Sequence, residues 1–132
     1  MSKKLIDKVI VGADRITRTG HIFNKIGTYQ IAILAKKHHL PFYVAAPLST
    51  FDFETNWHDV VIEERNIEEI IKIRGRRIAA KGINIFNPAF DVTPPDLVTS
   101  IVTERGIINS DFRNNLQKLF DNEKSTSFRI DE

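Results

Sequence analysis

The chain has 132 residues, 42% of them hydrophobic and 27% charged, a formal net charge of +2 and no cysteine. That length and balance fit one soluble globular domain with its own core and exclude a disordered chain. The missing cysteine excludes disulfides, thiolate metal sites and cysteine catalysis by this chain. The small charge, with Lys and Arg scattered rather than clustered, argues against a nucleic-acid partner. No apolar run is long enough to span a membrane and the N-terminus has no signal-peptide pattern, so the expected setting is cytoplasmic.

Lys8 to Ala13 reads as a short buried strand that hands Asp14 to the loop beyond it. In an open parallel sheet, ligands bind in the crevice outside the carboxyl ends of the strands. From Ile26 to His39, apolar Ile26, Tyr29, Ile33 and Leu34 with Ala32 and Ala35 beside them predict an amphipathic helix with a small-residue packing face. Pro41 stops it, and Phe42-Tyr43-Val44-Ala45-Ala46 before Pro47 predicts a second buried strand, the βαβ order of a parallel sheet. Asp59 to Glu63 is expected as a third short strand. Asn66 to Ile73 is expected as a short helix capped by Asn66, with Gly75 past its end.

Ile83-Asn84-Ile85-Phe86 alternates as a strand should, and Ala89 to Val92 resumes an extended path after Asn87-Pro88. Thr93-Pro94-Pro95-Asp96 has the signature of a helix start, predicting a helix through Leu97, Val98, Ile101 and Val102 that Gly106 stops. Asp111 to Phe120, with apolar Phe112, Leu116, Leu119 and Phe120, predicts a last amphipathic helix. The reading is α/β with parallel strands: one domain over residues 1–121 and a polar tail over 122–132. So few strands, the first within ten residues of Met1, point to the C-terminal part of something larger.

Asn24 and Lys25 stand just before Gly27 and the predicted helix. With Asp14 they bring an amide, a cation and an acid toward one place, where a small anionic substrate would sit. Each residue also has a plain structural use: Asp14 as a turn former, Asn24 as a helix cap, Lys25 as a solvated cation. Asp91 either lines the site beside Asp14 or caps the helix after Thr93. His38-His39 are expected at a helix C-terminus, where positive charge is favourable. His21 and His58 read as loop residues and Trp57 as a packing residue. No His/Asp/Glu spacing suggests a metal site. Arg74-Gly75-Arg76-Arg77 reads as a solvated turn, without the interleaved aromatics of a base-stacking surface.

Gly12-Ala13-Asp14-Arg15-Ile16, Gly20, Asn24-Lys25-Ile26-Gly27-Thr28-Tyr29 and Pro41-Phe42-Tyr43-Val44-Ala45-Ala46-Pro47 closely resemble the methylthioribose-1-phosphate isomerase family. So do Ile62-Glu63-Glu64-Arg65 and Asn87-Pro88-Ala89-Phe90-Asp91-Val92-Thr93-Pro94, in collinear blocks over roughly residues 8 to 108. That family stands with the regulatory subunits of eukaryotic translation initiation factor 2B and with ribose-1,5-bisphosphate isomerase. The resemblance implies a Rossmann-like three-layer α/β domain with a mostly parallel sheet, as the C-terminal portion of a larger fold. It also implies an aldose–ketose isomerisation in methionine salvage, from methylthioribose 1-phosphate to methylthioribulose 1-phosphate.

By that likeness Asp14 is the catalytic acid that helps open the furanose ring, and Asn24 and Lys25 bind substrate. A carboxyl that donates a proton near neutral pH needs desolvation, so Asp14 is expected to be buried. The backbone N–H groups from Ile26 onward are expected to help hold an anion. No metal or organic cofactor is implied. The family enzyme also carries an N-terminal helical region, phosphate-binding arginines and a catalytic cysteine that this chain lacks. The isolated chain is therefore expected to be inactive, and to form a homodimer or associate with an upstream fragment. The alternative is a non-catalytic interaction module like the initiation-factor subunits.

Overall fold

The computed structural model describes residues 1–127. In chain order its elements are β1 (Val9–Val11), β2 (Arg15–Thr17), β3 (Ile22–Lys25), α1 (Thr28–Lys37), β4 (Phe42–Ala45), β5 (Phe51–Asp52), α2 (Glu68–Ile71), β6 (Lys72–Ile73), β7 (Arg76–Arg77), β8 (Phe90–Thr93), β9 (Ser100–Thr103), β10 (Gly106–Asn109) and α3 (Phe112–Ser127). Short 3₁₀ turns lie at Leu48–Thr50, Trp57–Asp59 and Pro95–Leu97. No helix among the described residues is long and apolar enough to cross a membrane.

β-branched and aromatic residues favour extended backbone, and those of β1 and β4 pair in parallel, Val9 opposite Phe42 and Val11 opposite Val44. The main sheet runs β1-β4-β9-β10, with β9 parallel to β4 and β10 turned back antiparallel on β9. One face buries Phe42, Val44, Ile101 and Ile108 against Ala32 and Ala35 of α1, Phe112 and Leu116 of α3, and Ile16 and Ile22 of the β2–β3 hairpin. Each large side chain buried this way contributes about 1.5–3 kcal/mol. The small residues Thr28, Ala32 and Ala35 form the inward face of α1. The helix ends with His38 as its C-cap and His39 at φ 55, and Leu40 N–H donates to Ala35 O at 2.9 Å.

The second sheet runs β5-β2-β3-β8. Its β2–β3 hairpin turns at Gly20, with φ 80, and a Cβ there would lie 2.8 Å from Phe112 Cβ. Only glycine allows this turn to sit directly on the start of α3.

Residues 63–65 and 87–89 close the base of a surface arm, through Arg65 N–H to Asn87 O and Ala89 N–H to Glu63 O, both 2.8 Å. The arm holds α2 and the β6–β7 hairpin. Arg74 at φ 49 and Gly75 at φ 78 make the mirror-image turn that two-residue hairpins prefer. The expected helix at Asn66–Ile73 shortens to α2, with Asn66 Oδ1 accepting from Glu68 N–H at 2.9 Å. Gly75 serves the hairpin rather than the helix end.

Three expectations fail. No strand forms at Asp59–Glu63; the segment begins in a 3₁₀ turn and leaves it without a ladder. Ile83–Phe86 is irregular, because alternation alone supplies no neighbouring strand to take its backbone groups. The helix expected from Thr93 is a single 3₁₀ turn followed by β9 and β10. Val98, Ile101 and Val102 fit a helical stripe, but pairing with β4 and β10 draws the segment into the sheet, and Gly106 (φ 132) starts β10 instead of ending a helix. α3 forms as expected and continues through Ser127, into the segment expected as a tail; residues 128–132 lie outside the described ones.

Candidate active site

Asp14 stands where β1 gives way to β2, and its N–H donates to Phe23 O of β3 at 2.8 Å. The backbone is thus pinned while the carboxylate remains exposed, contrary to the expected burial. The reason is local: Gly12 and Ala13 supply no bulk, and among the described residues no other element closes over the carboxylate.

The carboxylate opens on a cavity of about 190 Å³ lined by Asp14, Arg15, Phe23, Val60, Val61, Ile62 and Phe90. The walls are mostly apolar, and the segment just before the base of the arm, Val60–Ile62, supplies three of these residues. Arg15 turns away to pair with Asp52, Nη1 to Oδ2 at 2.8 Å. Burial on its own would raise Asp52. Donation from Thr55 and Glu54 and the Arg15 charge prevail and hold it below the usual carboxylate range. Among the described lining residues, then, the one cation is already engaged.

Asn24 and Lys25 lie on β3 opposite Asp91 and Phe90 of β8, and neither lines the cavity. Half-buried Asn24 donates Nδ2–H to Thr28 Oγ1 at 3.0 Å, and Thr28 donates onward to Lys25 O at 2.7 Å. Asn24 therefore ties the turn before α1 without capping the helix through its oxygen. Exposed Lys25 places Nζ 4.8 Å from the centroid of the Phe90 ring, a cation–π contact. Phe90 both meets Lys25 and walls the Asp14 cavity.

The start of α1 is already filled by an anion of the chain itself. Asp91 accepts from Gly27 N–H at 2.7 Å and from Tyr29 N–H at 3.1 Å. This settles the two readings of Asp91: it caps a helix, but that helix is α1. It also corrects the expectation that these N–H groups help hold an external anion, because their acceptor is Asp91.

The other flagged residues lie outside this cavity. His21 stacks on Trp57, with centroids 4.4 Å apart, and its Nδ1 is 2.9 Å from Thr19 Oγ1. Burial first, then the neighbouring His58, lower the His21 pKa against an opposing pull from Asp96. Among the described residues no group of three His, Asp or Glu is placed to hold a metal ion. Residue-by-residue reading missed Phe90 and Val60–Ile62 as cavity walls. Their signal was membership of, or proximity to, the blocks that carry the family resemblance.

Residues 1–110 match the Initiation factor 2 subunit family. A methylthioribose-1-phosphate isomerase of Carboxydothermus hydrogenoformans is 54% identical over 91% of this chain and 35% of its own length. The crystal structure of 5-methylthioribose 1-phosphate isomerase from Pyrococcus horikoshii superposes with a TM-score of 0.84 at 47% identity, over 91% of this chain and 34% of that one. A structure described as translation initiation factor eIF-2B, subunit delta, from A. fulgidus gives 0.83 at 51% identity, over 91% of this chain and 35% of that one. The chain thus spans about a third of the length of these relatives and corresponds to a C-terminal portion of their larger fold. With most of its length matched and its fold shared along that length, the chain belongs to the Initiation factor 2 subunit family.

Proposed function

We propose that this chain is the C-terminal portion of a methylthioribose-1-phosphate isomerase and contributes Asp14 as the acid for opening the furanose ring. The supporting observation is Asp14 at the mouth of a small apolar cavity, in a chain 54% identical to an isomerase of that name. Asn24 and Lys25 serve the substrate side of the site in this reading, Asn24 by holding the turn and Lys25 as a cation beside Phe90. The chain alone is inactive. It has no cysteine, the cation lining its cavity is paired, and Asp14 is exposed. The apolar surroundings and phosphate clamp that the chemistry needs come from a partner segment, since orientation and charge stabilisation supply much of an enzyme's rate. A cytoplasmic setting belongs to the proposal, because charged sugar phosphates are kept inside cells.

A non-catalytic assembly module is the second reading, supported by the 51% identity to the structure described as an initiation-factor subunit. Turnover of methylthioribose 1-phosphate separates the two. The pure chain is expected to be silent. The chain produced together with the unmatched part of the Carboxydothermus relative is expected to be active, and Asp14→Asn to remove that activity. Turnover by the pure chain refutes the claim that it is inactive alone; a folded but silent complex favours the assembly module.

A further inference from the structure

The turn of the β2–β3 hairpin meets the start of α3 so closely that a Cβ on Gly20 would lie 2.8 Å from Phe112 Cβ. That approach sets Arg18 and Thr19, just before the glycine, beside Arg113, just after the phenylalanine. Between them lies a cavity of about 370 Å³ lined by Arg18, Thr19, Arg113, Asn114 and Gln117. It shares no residue with the cavity beside Asp14. The two lie at opposite ends of the hairpin: Arg15 pairs with Phe23 at the Asp14 end, while Thr17 N–H donates to His21 O at 3.0 Å next to the turn.

Every side chain lining this cavity is polar, two are cations and none is an acid. Arg18 is held in place without losing its charge: Nη2 donates to the neutral Asn56 Oδ1 at 3.2 Å, and its backbone N–H donates to Asp52 O at 3.0 Å. Neither Arg18 nor Arg113 has an ion pair among the described residues, whereas Arg15, Lys36, Arg65 and Lys72 each face a carboxylate. Asp96 and Asp111 lie in the adjoining cavity, which shares Thr19 and Arg113. Asp96 is engaged by Lys36, and Asp111 accepts from Asn114 Nδ2 at 2.8 Å. Thr19 is fixed from behind, its Oγ1 3.1 Å from Thr17 Oγ1 and 2.9 Å from His21 Nδ1. Two like charges on one cavity repel, and an anion between them relieves that repulsion. Guanidinium forks match the oxygens of a phosphoryl group bidentately.

We propose that this cleft binds a phosphoryl dianion, free or carried on a small ester. Arg18 donates to its oxygens from the hairpin and Arg113 from α3, and the amides of Asn114 and Gln117 border the rest of the ligand. The volume falls within the range of about 300–1,000 Å³ typical of small-molecule sites, so an ester has room. Both guanidiniums are exposed, so binding is salt-sensitive. The inference is independent of the isomerase reading, because it uses no residue of the Asp14 cavity.

The test is titration of the pure, isotope-labelled chain with inorganic phosphate and with glycerol phosphate, against chloride at matched ionic strength, read by NMR. Saturable shifts are expected at the Arg18, Thr19, Arg113 and Asn114 amide signals. Arg18→Gln and Arg113→Gln should each weaken binding about tenfold. Arg113→Lys should recover only part of that loss, since lysine keeps the charge without the fork. Arg76→Gln, on the exposed β7 of the arm, removes the same charge and should leave the affinity unchanged. Tighter binding of glycerol phosphate would support an ester as the occupant, and equal binding would support free phosphate. Three results would overturn the proposal: no saturable shift beyond that with chloride, saturation that both Arg→Gln variants leave intact, or an equal loss in Arg76→Gln.

Discussion

Replacing Asp91 with alanine tests how the two sheets and α1 are held in register around the site. The carboxylate accepts from Gly27 N–H at 2.7 Å and from Tyr29 N–H at 3.1 and 3.2 Å to its two oxygens. Gly27, at φ 103, is the N-cap residue of α1, and no side chain of the helix's own segment caps that end. Losing a helix cap costs about 0.5–2 kcal/mol, and a hydrogen bond to a charged group is worth about 1.5–3 kcal/mol. Because Asp91 is half-buried and its contacts overlap, about 2 kcal/mol is the expected loss for Asp91→Ala. For a chain of this size that corresponds to a drop of roughly 6–10 °C in the thermal midpoint. Asp91→Asn keeps an acceptor and loses the charge, so it should cost about half as much.

The assay is urea denaturation followed by circular dichroism, with and without added sulfate. Sulfate should stabilise Asp91→Ala more than the parent chain, since the vacated N–H groups then accept an external anion. A loss under about 0.5 kcal/mol, below the range for a lost cap, would refute the reasoning, as would no preferential response to sulfate.

Gly20→Ala should destabilise the chain by about 2–4 kcal/mol, from the left-handed backbone and the crowding against Phe112 together. Denaturant midpoints within experimental error of the parent would show that the turn does not sit on α3 at 2.8 Å. The His21 pKa is depressed below 6.5, chiefly by burial. Protonation therefore favours the unfolded chain, so the stability His21 contributes is full above that value and is lost as pH falls through it toward the folded-state pKa. The thermal midpoint should fall over that window, and His21→Phe should flatten the fall; an unchanged slope in the variant would exclude His21 as its source.

What the sequence determined by itself was whatever local pattern decides. β1, α1 and β4 were readable because each has a clear stop (Gly12, the His38-His39-Leu40-Pro41 run and Pro47), and α3 was readable at its start, after the polar run before Phe112, but not at its end. In α1 only the small-residue face with Ala32 and Ala35 is buried; the apolar Ile26, Tyr29, Ile33 and Leu34 expected with it are exposed. The family blocks carried the identity of the site segment, and Asp14 does stand at the carboxyl end of a strand. Tertiary structure decided the rest. Val98, Ile101 and Val102 fit a helical stripe, but β4 and β10 on either side made Ser100–Thr103 a strand and left Val98 just after the 3₁₀ turn. Asp91 lies 62 residues from the Tyr29 N–H it accepts, so no local window links them. The cavity beside Asp14 is assembled from β2, β3, the Val60–Ile62 segment and β8, which only folding brings together. Local pattern reports the preferences of neighbours in sequence; pairing, capping and burial depend on groups that only folding brings together.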